Sequence, residues 1–301
     1  MVLPSALLAA ALVAPAQPAA PPRAEIRDGD RVVWLGNTLV EREQRSGYWE
    51  TALYAANAGK RFTVRNLGWS GDTVFGDARA AFDTPAKGFE RMVGLTLELK
   101  PTTVWVAFGA NESFDGAAGL PRFEQGLGKL LDAIRPANAR VVLFTPAPVQ
   151  ECPGHLSAEA RDARMKNLAL YAEAVKKTAA ARGLAVVDLF AALQPALSQG
   201  TITENGVHPT ADGFRDTAGG FVAALGGTPR TLDWKQLDGV RTAVVAKNEL
   251  FFHRWRPQNE TYLFGFRKHE QGKNAREIAE FDPLVAAAEG QVEAARTALN
   301  K

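Results

Sequence analysis

Along most of the chain, short runs of β-branched and aromatic apolar residues alternate with longer stretches whose apolar positions recur every three or four residues. The short runs fall at 32–35, 62–65, 103–108, 140–144 and 184–187. Between the last two, Ser157 is placed to cap a helix that carries Met165, Leu168, Ala172, Val175 and Ala179 on one face, and Gly183 is placed to end it. Strands alternating with helices predict an α/β fold, a three-layer, flavodoxin-like arrangement with a parallel five-stranded sheet. In such sheets ligands bind beyond the carboxyl ends of the strands, so the residues just after each run carry the first candidates for chemistry.

The pattern changes at both ends. Residues 1–20 hold Leu3, Leu7, Leu8, Leu12 and Val13, followed by Ala and Pro, which predicts a secretory leader and an exported protein, periplasmic or extracellular. No basic residue precedes that apolar run. After Gly226, Gly227 and Pro229 a helix is expected from Leu232 to about Phe251, then an aromatic stretch, then an Ala-rich helix from Pro283. The expected organisation is a leader at 1–20, a main domain at 27–226 and a mostly helical C-terminal extension at 227–301, packed on the main domain. No internal repeat is visible, and no later run approaches the ~20 apolar residues of a membrane span.

Composition narrows the function classes. The formal charge is +2 and the basic residues are interspersed with acids, which argues against nucleic-acid binding. Cys152 is the only cysteine, so no intrachain disulfide forms, and no His/Cys/Asp/Glu spacing suggests a metal or another cofactor.

The candidate chemistry follows the runs. Gly36, Asn37, Thr38 and Leu39 come after the first; Asn66 to Thr73, including Gly71 and Asp72, after the second; Gly109, Ala110, Asn111 and Glu112 after the third; and Asn205, Gly206, Val207, His208 and Pro209 precede a helical stretch beginning near Ala211. These four segments, in this order, resemble the four blocks of the SGNH (GDSL-like) hydrolases, whose first block reads Gly-Asp-Ser-Leu and whose last reads Asp-x-x-His. The resemblance implies the SGNH hydrolase fold and ester hydrolysis by acyl transfer to a hydroxyl. It puts Thr38 in the nucleophile slot, Thr38, Gly71 and Asn111 at the oxyanion donors, His208 at the general base and Asn205 at the triad acid.

This chain departs from the family's pattern at three positions. Thr38 replaces serine, and its β-methyl restricts χ1 and crowds an approaching carbonyl. Asn205 replaces the aspartate that would orient the imidazole, a change that costs about 10⁴ in kcat in serine proteases. Asn37 replaces the aspartate beside the nucleophile, and Glu204 is a neighbouring carboxylate that could stand in for the missing acid. The leading expectation is an exported esterase acting on a small-molecule or glycan ester, plausibly deacetylating a carbohydrate. The alternatives are an inactive glycan- or ester-binding protein on the same fold, and a protein-interaction scaffold. Phe251, Phe252, Trp255, Tyr262, Phe264 and Phe266, interleaved with Arg254, Arg256, Arg267 and Lys268, either line a sugar site or fasten the extension to the body. Glu41, Arg42, Glu43 and Arg45 read as a pocket wall or a solvated face, with a helix beginning at Tyr48 and Trp49.

Overall fold

A computed structural model describes residues 22–228, 231–270 and 274–299. The leader expected at 1–20 lies outside the described residues, as does Pro229. The strands are β1 (Asp30–Gly36), β2 (Phe62–Gly68), β3 (Thr103–Ala107), β4 (Arg140–Phe144) and β5 (Ala185–Val187). They form one parallel sheet in the order β2-β1-β3-β4-β5, the flavodoxin-like arrangement, with Val32 of β1 level with Val64 of β2 and Thr103 of β3. Because both faces of the central strands are covered, their sequences are continuously apolar rather than alternating.

The helices are α1 (Thr38–Ser46), α2 (Tyr48–Ala56), α3 (Pro85–Glu98), α4 (Gly116–Ile134), α5 (Ala158–Arg182), two four-residue helices α6 (Leu189–Ala192) and α7 (Gln194–Leu197), α8 (Ala211–Ala224), α9 (Trp234–Trp255), the short α10 (Glu260–Leu263) and α11 (Phe281–Ala298). On one face, Trp34, Trp105 and Phe144 of the sheet meet Trp49 of α2 and Phe214 and Phe221 of α8, with Trp49 stacked on Phe221 at 4.4 Å between centroids. On the other, Val33, Leu35, Val104 and Val106 meet Met92 of α3, Phe123 and Leu127 of α4, and Tyr171 and Val175 of α5. Ser157 accepts a hydrogen bond from Ala160 N, and Gly183 closes α5 in a left-handed conformation.

The helix expected from Tyr48 and Trp49 is α2, which begins at Tyr48, and a further helix, α1, that the apolar pattern does not predict precedes it. Asn37 caps α1 through Oδ1, which accepts from Leu39 N, and only Gly47 separates it from α2. Its acids are neither pocket wall nor solvated face: Glu41 and Glu43 are buried. Close packing of α1 on the end of β2 requires Gly68, where a Cβ would lie 2.3 Å from Glu41 N.

The extension covers the free edge of β2, which would otherwise present unpaired backbone groups. Lys247 of α9, almost fully buried, donates to Val64 O at 2.7 Å and pairs with Glu50 at 2.6 Å. Asn248 donates to Glu50 Oε2 and to Gln44 O, and Arg65 of β2 pairs with Glu289 of α11 at 3.0 Å. No helix among the described residues is long and apolar enough to cross a membrane.

Beside this anchor, Glu43 Oε1 accepts from both Trp49 N and Glu50 N. Burial, reinforced by the negative charge of Glu50, pushes Glu43 up to about 8. A folded-state value raised above the ordinary 4.5 means that folding favours the protonated acid; this contribution is complete below about 4.5 and is lost as pH rises through about 8. Glu43→Gln, which keeps the acceptor and a neutral second atom, is expected to flatten the fall in stability across that window. Urea midpoints measured against pH check it, and a slope equal to that of the parent would contradict it.

Candidate active site

Three of the predicted segments lie at the carboxyl end of the sheet, on the loops after β1, β2 and β3. Thr38 is the first residue of α1, so its backbone N–H is one of the helix's unpaired N-terminal donors, at the end where the helix dipole favours negative charge. Its Oγ1 accepts from Gly71 N at 3.1 Å, so the residues that the family resemblance puts at the nucleophile slot and at an oxyanion donor are in direct contact. Asn111 donates one Nδ2 hydrogen to Asp72 O at 2.7 Å and keeps a second hydrogen for another acceptor.

The turn between β2 and α3 is built by Asp72 and Glu112 of the predicted segments together with Arg79, which lies outside them. Asp72 and Arg79 form a fully buried pair at 2.6 Å, and Arg79 also donates to Leu67 O. Burial raises Asp72 above the ordinary carboxylate range, against the pull of Arg79. Glu112, in the third segment, accepts from Val74 N and Gly109 N, both at 2.8 Å, and so ties the loops after β2 and β3 together; burial lifts it to about 7. A basic residue seven positions after Asp72 carries no spacing signal that would have marked Arg79 as its partner.

The fourth segment is a tight turn in which Thr203 pairs with Pro209 and Glu204 N donates to His208 O at 2.9 Å. Gly206 has φ +86°, and a Cβ there would meet Gln150 O at 2.5 Å, so only glycine fits. Cys152, a buried free thiol, lies against the same turn, 3.7 Å from Glu204 O. Arg42 of α1 pairs with Glu204 at 2.6 Å, which holds the turn against the helix that begins at Thr38. The carboxylate of Glu204 is therefore engaged by Arg42, and it is Asn205 whose side chain reaches the His208 ring.

That contact has a definite polarity. Asn205 Oδ1 accepts from Val207 N at 3.1 Å and from His208 N at 2.9 Å, while Nδ2 stands 2.9 Å from His208 Nδ1. Two backbone donors on Oδ1 fix the amide's orientation, because a flipped amide would set N–H against N–H. Nδ2 therefore donates, Nδ1 accepts, and the ring proton of neutral His208 resides on Nε2. Burial first and the charge of Arg42 second lower His208 below its ordinary 6.5, with Glu204 opposing, so the neutral ring dominates at pH 7. Among the described residues no hydrogen bond joins Thr38 Oγ1 to the His208 ring.

Among the described residues the extension meets the site beside Trp69. Trp255 packs on Trp69 with ring centroids 5.7 Å apart, and Arg256 lies 3.7 Å over the Trp69 ring while pairing with Glu41 at 2.8 Å. Phe251 and Trp255 are buried, whereas Phe264 and Phe266 are exposed, Phe266 against Phe82. The aromatic stretch is thus divided between fastening and surface. Among the described residues no group of three or more His, Cys, Asp or Glu is arranged to hold a metal ion.

A parallel sheet with these loops at its carboxyl end defines the SGNH hydrolase class. Residues 30–215 match the GDSL-like Lipase/Acylhydrolase family, and the chain belongs to that family of ester hydrolases. Among solved structures it is similar to Axe2, an acetylxylan esterase from Geobacillus stearothermophilus, at 19% identity and TM-score 0.53 over 69% of this chain and 99% of that one. LAE5, an alpha/beta hydrolase enzyme from the metagenome of Lake Arreo, Spain, is similar at 20% identity and TM-score 0.51, over 67% and 97%. BT4096, a gut microbial diltiazem-metabolizing enzyme, is similar at 20% identity and TM-score 0.50 over 67% of this chain, which spans 48% of that protein's length. No curated protein sequence matches the chain.

Proposed function

We propose that this protein is an exported ester hydrolase that takes acylated carbohydrates and turns them over slowly, because Asn205 holds its catalytic imidazole in the unproductive tautomer. The observation that carries the reading is the donation from Asn205 Nδ2 to His208 Nδ1. In acyl transfer the Thr38 oxygen would bond to the ester carbonyl carbon, its proton would pass to an imidazole nitrogen, and that proton would leave on the departing alkoxide. Nδ1 is occupied by Asn205, so Nε2 is the remaining ring nitrogen, and it already carries a hydrogen. The proton transfer must then wait for a tautomer that Asn205 disfavours. Binding groups persist: Gly71 N–H beside Thr38, the spare Asn111 hydrogen and the α1 N-terminus suit a polarised carbonyl oxygen.

The carbohydrate is supported by the similarity to Axe2, an acetylxylan esterase. Export is supported by the apolar run at 1–20. Hydrolysis of short-chain aryl esters and acetylated xylo-oligosaccharides by the wild type, Thr38→Ala and His208→Ala tests the assignment. Slow turnover that disappears in both variants is expected, and turnover indifferent to either rejects it. Ligand binding with no turnover would establish instead the silent pocket that the same amide contact also permits. The acid limb of the wild-type rate should have its midpoint below 6.5 and move upward in Arg42→Ala, since the cation that disfavours protonation is gone; an unmoved limb would mean that His208 is not the titrating group.

A further inference from the structure

The residues that match the family end at 215, yet the turn bearing Gly71 is held from beyond them. Its successive backbone donors are satisfied in order: Trp69 N on Gly36 O at 3.0 Å, Ser70 N on Glu41 Oε2 at 2.6 Å, Gly71 N on Thr38 Oγ1 at 3.1 Å and Asp72 N on Trp69 O at 3.1 Å. Three of these acceptors are backbone or the nucleophile slot itself, so the Glu41 carboxylate is the adjustable member. Glu41 is 6% exposed, and the oxygen that takes Ser70 N also takes Arg256 Nη1 at 2.8 Å. Of its other cationic neighbours, Arg79 spends its hydrogen bonds on Asp72 and Leu67 O, and Arg45 is 3.6 Å away with a side chain 72% exposed, a weak partner in water. Arg256 also covers the face of Trp69 at 3.7 Å. One guanidinium at the C-terminal end of α9 therefore grips both residues that precede Gly71, the ring of one directly and the amide of the next through Glu41.

We infer that Arg256 is a positioning residue for the oxyanion donor, so that the extension completes the active site of the hydrolase domain through the relay Arg256, Glu41, Ser70, Gly71. Without the guanidinium, the buried carboxylate of Glu41 loses its close counter-charge and turns toward Arg45 and water, which releases Ser70 N and lets Gly71 N drift. A donor aimed at the developing oxyanion acts in the transition state, so its displacement lowers kcat and leaves KM nearly unchanged. The inference rests on the acyl-transfer reading for its kinetic arm and on backbone geometry for its structural arm.

The test compares the full chain with Arg256→Ala, Arg256→Lys, Glu41→Ala, the double variant Arg256→Ala/Glu41→Ala, and Arg267→Ala, whose side chain pairs with Glu270 at the surface. Hydrogen exchange at the Ser70 and Gly71 amides is read by NMR, and kcat and KM for an acetyl aryl ester are read in the wild-type and Asn205→Asp backgrounds. Arg256→Ala is expected to speed exchange at both amides and to lower kcat by roughly tenfold, a fraction of the 10²–10³ that loss of a whole oxyanion donor costs. Arg256→Lys should recover most of this, the double variant should fall no further than Glu41→Ala alone, and Arg267→Ala should change neither reading. Additive losses, equal rises in KM, or amides indifferent to Arg256 would overturn the relay. Should Arg256→Ala fail to fold, Arg256→Lys and Glu41→Ala decide by the same readings. If neither background turns over ester, the acyl-transfer reading fails and amide exchange alone decides the relay.

Discussion

Asn205→Asp is expected to raise the rate of ester cleavage by more than tenfold and by up to roughly 10⁴-fold, the factor that separates aspartate from asparagine at the equivalent place in serine proteases. An aspartate retains one oxygen for Val207 N and His208 N, which Asn205 Oδ1 serves at 3.1 and 2.9 Å, and offers a second oxygen where Nδ2 now stands. That oxygen accepts from Nδ1–H, so the proton moves off Nε2 and leaves a lone pair there for the nucleophile. Since the backbone bonds are kept, little structural cost accompanies the exchange. Thr38→Ser on top of it removes the methyl that crowds the carbonyl and should add to the gain rather than replace it. Single-turnover and steady-state rates with an acetyl aryl ester measure both steps, and an Asn205→Asp protein no faster than its parent would show that the carboxylate is not what the site lacks.

Lys247→Met is expected to destabilise the protein by about 3–5 kcal/mol, the cost of leaving a buried charge unpaired. Glu50 is 1% exposed and its Oε1 receives Lys247 at 2.6 Å; the other oxygen receives Asn248, a neutral donor. The same lysine satisfies Val64 O on the outer edge of β2, so its removal strips a strand carbonyl as well as a counter-ion. Glu50→Gln added to Lys247→Met removes the stranded charge and should recover part of the loss, which a thermal or urea melt of the two variants will show. Equal stability of wild type and Lys247→Met would mean that this pair does not hold the extension to the sheet.

The fold was legible because both faces of the sheet are covered, and burial on both faces writes each central strand as an unbroken apolar run. Capping chemistry made the boundaries of α5 readable at Ser157 and Gly183. α1 was not readable as a helix: its buried face includes Glu41, Glu43 and Gln44, and the hydrogen bonds of the two carboxylates come from Ser70, Trp49, Glu50 and Arg256, outside the helix. The four site segments could be recognised by order and by their place after the strands. The relation of Asn205 to His208 could not, because an amide and a carboxylate fill the same space and only the two backbone donors on Oδ1 decide which atom faces the ring. Arg79 and Arg256 were hidden for a different reason: each completes a buried acid through the tertiary fold, with no periodicity linking partner to partner.

The tautomer of His208 decides whether Asn205 holds the imidazole in the unproductive form. Imidazole ¹⁵N shifts and their couplings to ring protons, recorded on the ¹⁵N-histidine-labelled wild type and on Asn205→Asp, assign the proton to one nitrogen in each. A protonated Nε2 and an unprotonated Nδ1 are expected in the wild type, exchanging to Nδ1–H in the aspartate variant. A wild-type His208 that carries its proton on Nδ1 would contradict this expectation.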